Sequence, residues 1–149
     1  MNNEYERKFL LNSYPVIFMQ FKKESIKQWY LTNPNDLISV RIRLYNDNRC
    51  YLDLKRGLGM ERYEYGSKCS YDDVKDLLTD VPCVEKDRYK LHVDNYLLII
   101  DEFKDGLKLI EIESDDKNLI LNFEPFDWFG KEVTDDIRYT NNWIAYDRS

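Results

Sequence analysis

The sequence EYERKFL, at residues 4–10, decides how this chain folds. Its charged residues alternate with others, and the side chains of a β-strand point alternately to its two faces. A strand over Glu4–Leu11 therefore places Glu4, Glu6 and Lys8 together on one face. Two acids and a base in line, this close to the start of the chain, indicate a strand whose polar face does more than contact solvent.

Pairs of like charge at a spacing of two recur along the chain. The pairs are Glu4 with Glu6, Arg41 with Arg43, Lys86 with Arg88, and Glu111 with Glu113. Any one such strand is typical of an antiparallel sheet with one solvated face. The set is not, because a surface that only confers solubility mixes the two signs locally. Polar faces converge inside a closed barrel with a wet lumen, which would place a basic cradle beside a carboxylate cluster.

Enrichment in β-branched and aromatic residues predicts that strands dominate the chain. They are Glu4–Leu11, Ser25–Leu31, Leu37–Tyr45, Cys50–Lys55, Glu61–Lys68, Val84–His92, Tyr96–Phe103 and Lys108–Glu113. The short connections favour an antiparallel sheet or barrel. A helix capped by Ser70 is predicted to end at Leu78, and a second to cover Asp115–Leu121. The segment Arg138–Ala145 fits either a short helix or a last strand.

Composition excludes several classes of protein. The length of 149 residues predicts one domain over 1–149. The sequence contains no apolar run of about 18 residues, which is the length that a membrane span needs. A net charge of −6 argues against broad binding of nucleic acid. Three separated cysteines and one histidine argue against a zinc site. Free thiols and the lack of a secretion signal favour a cytoplasmic protein.

Eight short motifs follow one another in the order of a known family. They are EYERK at 4–8, QWYL at 28–31, RIR at 41–43, LK at 54–55, RYE at 62–64, VEKDRY at 84–89, the block from DEF at 101–103 through GL at 106–107 to EIE at 111–113, and WFGKEVTDDIRY at 128–139. Together they resemble the CYTH proteins, also called triphosphate tunnel metalloenzymes, over nearly the whole chain. One departure stands out: Gly66 occupies the last position of the family's R-x-E-x-E motif. Without a carboxylate at this position, a metal site would be weakened or altered.

The resemblance implies an eight-stranded antiparallel closed β-barrel, a triphosphate tunnel with a few short helices outside. It implies a triphosphatase that uses Mg²⁺ or Mn²⁺ to hydrolyse inorganic triphosphate or a related small-molecule triphosphate, most like the small inorganic triphosphatases. Two alternatives stay open. One is a class IV-type adenylyl cyclase, which makes cyclic AMP from ATP, and the other is a binder of triphosphate or nucleotide without catalysis. A homodimer is also left open.

The resemblance further assigns roles to individual residues. The metal would be held by Glu4, Glu6, Glu111 and Glu113, with Glu64 either a further ligand or a salt-bridge partner. The phosphates would be bound by Lys8, Arg41, Arg43, Lys55, Lys86, Arg88 and Arg138, although an ion pair within the fold is an equal reading for Arg138. The attacking water would be activated either by the metal or by Lys86 as general base with Tyr30 beside it.

Overall fold

Eight antiparallel strands close on themselves, and this confirms the predicted barrel. The computed structural model describes residues 2–147, with only the backbone for Asn2. The strands are β1 (Asn2–Leu11), β2 (Lys22–Tyr30), β3 (Ile38–Tyr45), β4 (Cys50–Arg56), β5 (Glu61–Lys68), β6 (Cys83–Val93), β7 (Tyr96–Phe103) and β8 (Lys108–Ser114). Around the barrel they follow the order β1-β5-β4-β3-β2-β6-β7-β8 and return to β1.

Strand β1 closes the barrel because it is long enough to pair twice. Its first residues, Asn2–Tyr5, pair with β5, and its later residues, Tyr5–Leu10, pair with β8. A closed barrel leaves no unpaired strand edge between its members. The opening stretch of sequence is thus the seam of the barrel, and its charged face points into the lumen.

The remaining elements lie around the barrel. They are α1 (Tyr71–Val74), α2 (Lys117–Leu121), α3 (Asn141–Asp147), the ninth strand β9 (Phe129–Glu132), and 3-10 helices at Val16–Gln20, Lys75–Leu78 and Ile137–Tyr139. The segment Arg138–Ala145 is therefore helical. Short β9, which pairs with the end of β1, was not predicted. Ser70 precedes α1, but none of the described residues donates a hydrogen bond to its side chain; Asp116 does cap α2.

The main apolar core lies on the outer wall of the barrel rather than inside it. Ile100, Ile110 and Ile112 are fully buried and pack with Phe9 and with Ile120 of α2. Burying one such side chain stabilises the fold by about 1.5–3 kcal/mol. Because the apolar side of each of these strands faces outward, the charged side of the alternation is left facing the lumen.

Helix α3 closes one end of the lumen. Its Ile144 and Ala145 pack against Val84, Phe103 and Leu109, which come from the barrel strands. This end is consequently apolar, and the charged residues lie towards the other end. None of the helices that the structure describes is long and apolar enough to span a membrane.

All three cysteines are free thiols. The sequence did not predict that two of them meet: the Sγ atoms of Cys50 and Cys69 lie 3.2 Å apart at the end of the β4–β5 pair. Burial raises the pKa of Cys50 to about 12, so this thiol stays protonated at neutral pH and takes no part in the site described next.

Candidate active site

One cavity of about 530 Å³ occupies the lumen. It brings together all but two of the residues that the sequence singled out. These are Glu4, Glu6, Lys8, Tyr30, Arg41, Arg43, Lys55, Glu64, Arg88, Glu111 and Glu113. They come from seven of the eight barrel strands, so only closure of the barrel can assemble them. Lys86 lies behind this lining, and Arg138 lies outside it.

Three carboxylates form a tight cluster at one end of the cavity. Glu4, Glu6 and Glu113 each offer an oxygen within 4.8 Å of the others. Burial raises the pKa of Glu4, and burial with repulsion from the neighbouring glutamates raises the pKa of Glu113 well above its ordinary value. Among the described residues, no group donates a hydrogen bond to the buried Oε2 of Glu4. The nearest cation to this oxygen is the ammonium group of Lys55, at the long distance of 3.8 Å. Crowded carboxylates of this kind fit a hard divalent cation, which prefers oxygen ligands.

The carboxylates are not equivalent. Glu6 pairs with Arg62, whose Nε lies 2.9 Å from Glu6 Oε1. Although burial alone would raise the pKa of Glu6, Lys55 and Arg62 hold it below its ordinary value. Glu6 is therefore already matched by positive charge. A cation bound here would compete with Arg62 for Glu6 and would find Glu4 and Glu113 much less compensated.

Glu111 and Glu64 lie beside this cluster and face cations. The ammonium of Lys8 lies 3.4 Å from Glu111 Oε1, and that of Lys55 lies 3.5 Å from Glu64 Oε2. Lys8 also donates to the carbonyl oxygen of Tyr139 at 2.9 Å. For Glu64, this is the salt-bridge arrangement that the sequence left as an alternative. Both glutamates line the cavity but lie outside the cluster of Glu4, Glu6 and Glu113.

The basic side of the cavity begins with two arginines of β3. Arg41 Nε donates to Asp53 Oδ2 at 3.0 Å, and Arg43 Nη2 lies 3.2 Å from the same oxygen. Although burial opposes its charge, contacts with Tyr30 and Asp53 raise the pKa of Arg41 above its ordinary value. Both arginines line the cavity, and a guanidinium group keeps its charge in proteins.

Arg88 and Lys86 of β6 share one buried counterion. Arg88 binds Asp101 in a bidentate manner, with both N–O distances at 2.9 Å. Lys86 Nζ donates to Asp101 Oδ2 and to Asn141 Oδ1, each at 2.8 Å. One carboxylate cannot neutralise two cations, and a guanidinium does not lose its proton. Burial and the charge of Arg88 accordingly lower the pKa of Lys86 to about 7.

Tyr30 and Asn141 both belong to the cavity wall. Gln28 Nε2 donates to the hydroxyl oxygen of Tyr30 at 2.9 Å. Asn141, at the start of α3, lines the cavity and also binds Lys86. The side chain of Lys86 is 0% exposed, and its hydrogen bond to Asn141 links it to a residue of the cavity lining.

Arg138 lies apart from the other phosphate-binding candidates, outside the cavity lining. Its side chain is 66% exposed and pairs with Asp136 two residues earlier, with Nη2 2.6 Å from Asp136 Oδ2. The 3-10 helix Ile137–Tyr139 turns Arg138 away from the lumen, while Ile137 lines the cavity. The structure therefore shows the ion-pair alternative and does not place Arg138 with the phosphate-binding candidates.

Sequence reasoning missed the acids that orient the cations. Asp53 and Asp101 lie opposite basic strands, yet neither belongs to a pair of like charge. Asp101 follows an apolar run of β7, and its place in the DEF motif was the available signal. Asn141 gave no signal, because nothing local links it to Lys86.

Comparisons with known proteins show which family the chain belongs to. No protein-family model matches it. The inorganic triphosphatase of Acetivibrio thermocellus is 34% identical over 149 residues, covering 95% of this chain and 92% of that protein. That of Nitrosomonas europaea is 34% identical over 148 residues, covering 95% and 96%.

Solved structures show the same barrel. The crystal structure of the inorganic triphosphatase NE1496 aligns with a TM-score of 0.70 at 32% identity, covering 97% of this chain and 95% of that one. A putative adenylate cyclase from Vibrio parahaemolyticus aligns with a TM-score of 0.62 at 15% identity, covering 80% and 81%, and shares the fold alone. Given two relatives at 34% identity over nearly the full length of both chains, this chain belongs to the inorganic triphosphatase family of triphosphate tunnel metalloenzymes.

Proposed function

We propose that this protein is a metal-dependent phosphoanhydride hydrolase whose substrate is inorganic triphosphate. The observation that carries the proposal is the meeting of a three-carboxylate cluster and an arginine–lysine wall inside one cavity. Carboxylates take up a divalent cation, and guanidinium and ammonium groups bind phosphate oxygens. A short polyphosphate with its cation is the ligand that needs both. The relatives named inorganic triphosphatase support the same reading.

The phosphate groups would be bound by the cations that line the cavity. These are Lys8, Arg41, Arg43, Lys55 and Arg88. Arginine can bind two oxygens at once, whereas lysine supplies a point charge. Among the described residues, the buried Nε of Arg43 has no hydrogen-bond partner, and a phosphate oxygen would satisfy it. These cations would also stabilise the charge that builds up as the diphosphate leaves.

Glu4, Glu6 and Glu113 would hold the cation, with Glu111 and Glu64 in support. We propose Mg²⁺ or Mn²⁺, because both accept oxygen ligands and pair with phosphates. When bound, the ion would neutralise phosphate charge and lower the pKa of a water in its shell. In the protein itself, the glutamates would orient this charge towards the end of the triphosphate that faces them.

Lys86 is the protein group best suited to accept a proton from the attacking water. Its pKa of about 7 makes the neutral amine available near neutral pH. Asn141 Oδ1 binds this ammonium group at 2.8 Å, so a shift of Asn141 would be needed to admit water. Tyr30 lines the cavity and would position the water. Activation by the metal alone remains the alternative, and the pH dependence described in the Discussion distinguishes the two.

A class IV-type adenylyl cyclase is the alternative that the sequence left open. Cyclisation requires a pocket for adenine. The aromatic side chains in the cavity wall, Tyr30 and Tyr45, are both buried, which disfavours a stacking platform for a base. Release of phosphate, rather than cyclic AMP, is therefore the expected result with ATP if ATP reacts at all.

A phosphate-release assay tests the proposal. Tripolyphosphate, ATP, GTP, thiamine triphosphate and 5′-triphosphate RNA would be compared, each with Mg²⁺ and with Mn²⁺, and Glu111→Gln would serve as the impaired control. Turnover highest with tripolyphosphate and abolished by a chelator is expected. Tight binding of tripolyphosphate without turnover in either metal would instead identify a binding protein.

The compartment and the assembly remain proposals. We propose a cytoplasmic location, because the three cysteines are free thiols, as is typical of a reducing compartment. A homodimer and a monomer both stay open, and light scattering in solution would distinguish them.

A further inference from the structure

Gly66 of β5 faces Asp53 of β4 across the strand pair. A Cβ atom added at Gly66 would lie 2.6 Å from Asp53 Oδ1, closer than two such atoms approach in proteins. Because Gly66 is two residues from Glu64 on the same strand, a side chain there would point into the lumen. The space that this side chain would fill is already taken by the carboxylate of Asp53.

Asp53 cannot easily move aside. It is 7% exposed, and its Oδ2 is bound by Arg41 at 3.0 Å and by Arg43 at 3.2 Å. Rotating the carboxylate away from Gly66 would break both contacts. Charge-assisted hydrogen bonds of this kind are among the strong ones in proteins, so breaking them would cost free energy.

The two arginines need this acid. They are two residues apart on one face of β3, and burial with the charge of Arg41 disfavours the charged form of Arg43, so its pKa is lowered. A carboxylate between them offsets the repulsion. It also fixes the direction of each guanidinium group, which leaves the remaining N–H donors, including Arg43 Nε, free to meet a ligand.

We propose that Asp53 is the positioning residue of the arginine pair, and that Gly66 is glycine because it accommodates this carboxylate. The acid expected at position 66 is thus supplied from the neighbouring strand, and its task is to orient Arg41 and Arg43 for phosphate rather than to bind a metal. The inference concerns the proposed active site and rests on the proposed function.

Moving the acid across the strand pair tests the inference. Asp53→Gly is expected to raise the KM for tripolyphosphate about tenfold, as for the loss of hydrogen bonds between charged groups. The exchanged variant, Asp53→Gly with Gly66→Asp, should recover most of the loss, because its carboxylate reaches the same space from β5. Its matched control, Asp53→Gly with Gly66→Asn, has the same shape without the charge and should not recover.

Asp53→Asn is the second variant, for the case in which the exchanged chains do not fold. It keeps the shape of the side chain and removes its charge, so it separates a positioning role from a simple contribution to the net charge of the site. We expect its KM to rise severalfold, its kcat to change little, and its response to Mg²⁺ to stay as in the wild type. An unchanged or lower KM would overturn the inference. If Asp53 had no positioning role, its removal would only make the site more positive and would strengthen the binding of an anion. Equal activity of the aspartate and asparagine exchange variants would also overturn it.

A binding measurement keeps this test apart from that of the proposed function. Calorimetry would give the dissociation constant of tripolyphosphate for the wild type and each variant. If the wild type released no phosphate from tripolyphosphate, the proposed function would fail. Weaker binding by Asp53→Asn would then still support the positioning role, and equal binding would reject it.

Discussion

Lys86 and Asp101 form an ion pair in the interior of the barrel. The distance from Lys86 Nζ to Asp101 Oδ2 is 2.8 Å, and the two side chains are 0% and 2% exposed. Arg88 binds the same carboxylate, so this buried group of three carries one negative charge against two positive ones. The excess charge falls on the group that can lose a proton, which is Lys86.

The pH dependence of the reaction should therefore report Lys86. Its folded pKa of about 7 lies below the ordinary 10.5, so the amine is protonated at acidic pH and becomes a base as the pH rises. We expect kcat/KM for tripolyphosphate to rise through about pH 7. In the complex, the negative substrate should raise the pKa of Lys86 and shift the rise in kcat to higher pH.

Lys86→Arg is the matched control for that profile. A guanidinium group keeps its proton and its positive charge, so the rise near pH 7 should disappear. A variant that keeps the wild-type rise would show that Lys86 is not the base and would favour activation by the metal alone.

Asp101→Asn should destabilise the protein through its two partners. Removing one member of a buried ion pair costs about 3–5 kcal/mol, which for a chain of this size corresponds to a fall in Tm of about 10 °C. The loss should be smaller at alkaline pH, since Lys86 can then discard its charge whereas Arg88 cannot. Thermal unfolding at pH 6 and pH 9 would measure this, and a loss independent of pH would contradict the assignment.

Divalent cations should stabilise the fold through Glu113. Its raised folded pKa means that the native state holds a proton that the unfolded chain has lost above about pH 4.5. The metal-free protein is therefore expected to lose stability as the pH rises through that folded pKa. Mg²⁺ or Mn²⁺ should restore it, by mass action on the native state.

Glu113→Gln tests this account in thermal melts with a chelator or with metal. The metal-free variant should be more stable than the wild type at pH 8, by a few degrees in Tm, and should respond less to Mg²⁺. Glu124→Gln, at an exposed position, is the matched control and should behave as the wild type. A full metal response in Glu113→Gln would remove this residue from the metal site.

Arg88 and Arg138 should differ sharply when each is replaced by alanine. Arg88 lines the cavity with its side chain 11% exposed, and its loss should lower kcat/KM for tripolyphosphate by about 100-fold, as for other preorganised donors. Arg138 is exposed and paired with Asp136, so its loss should change activity by less than about twofold. A large loss in Arg138→Ala would return it to the phosphate-binding residues and would imply that the segment 137–139 moves when substrate binds.

The sequence alone determined the barrel and the ionic character of its lumen. Alternation along a strand is a local property, so EYERKFL, RIR and EIE each show which side chains share a face. The segregation of charge by sign made the convergence of these faces a hypothesis, and the resemblance of the ordered motifs to a known family implied the closed barrel. The helical form of the C-terminal segment and the short strand β9 were not determined, since their local patterns are weak.

Only the tertiary structure decided which charges meet. Asp101 faces Arg88, and Asp53 faces Gly66, because of the register between strands. Closure of the barrel also gathers Glu4, Glu6 and Glu113 while leaving Glu111 to Lys8, and a 3-10 helix turns Arg138 outward. Register and closure join residues far apart in the chain, and burial sets the strength of each ion pair. A side chain's face is thus readable from its neighbours in sequence, whereas its partner, and with it the pKa of a group such as Lys86, is set by the folded barrel.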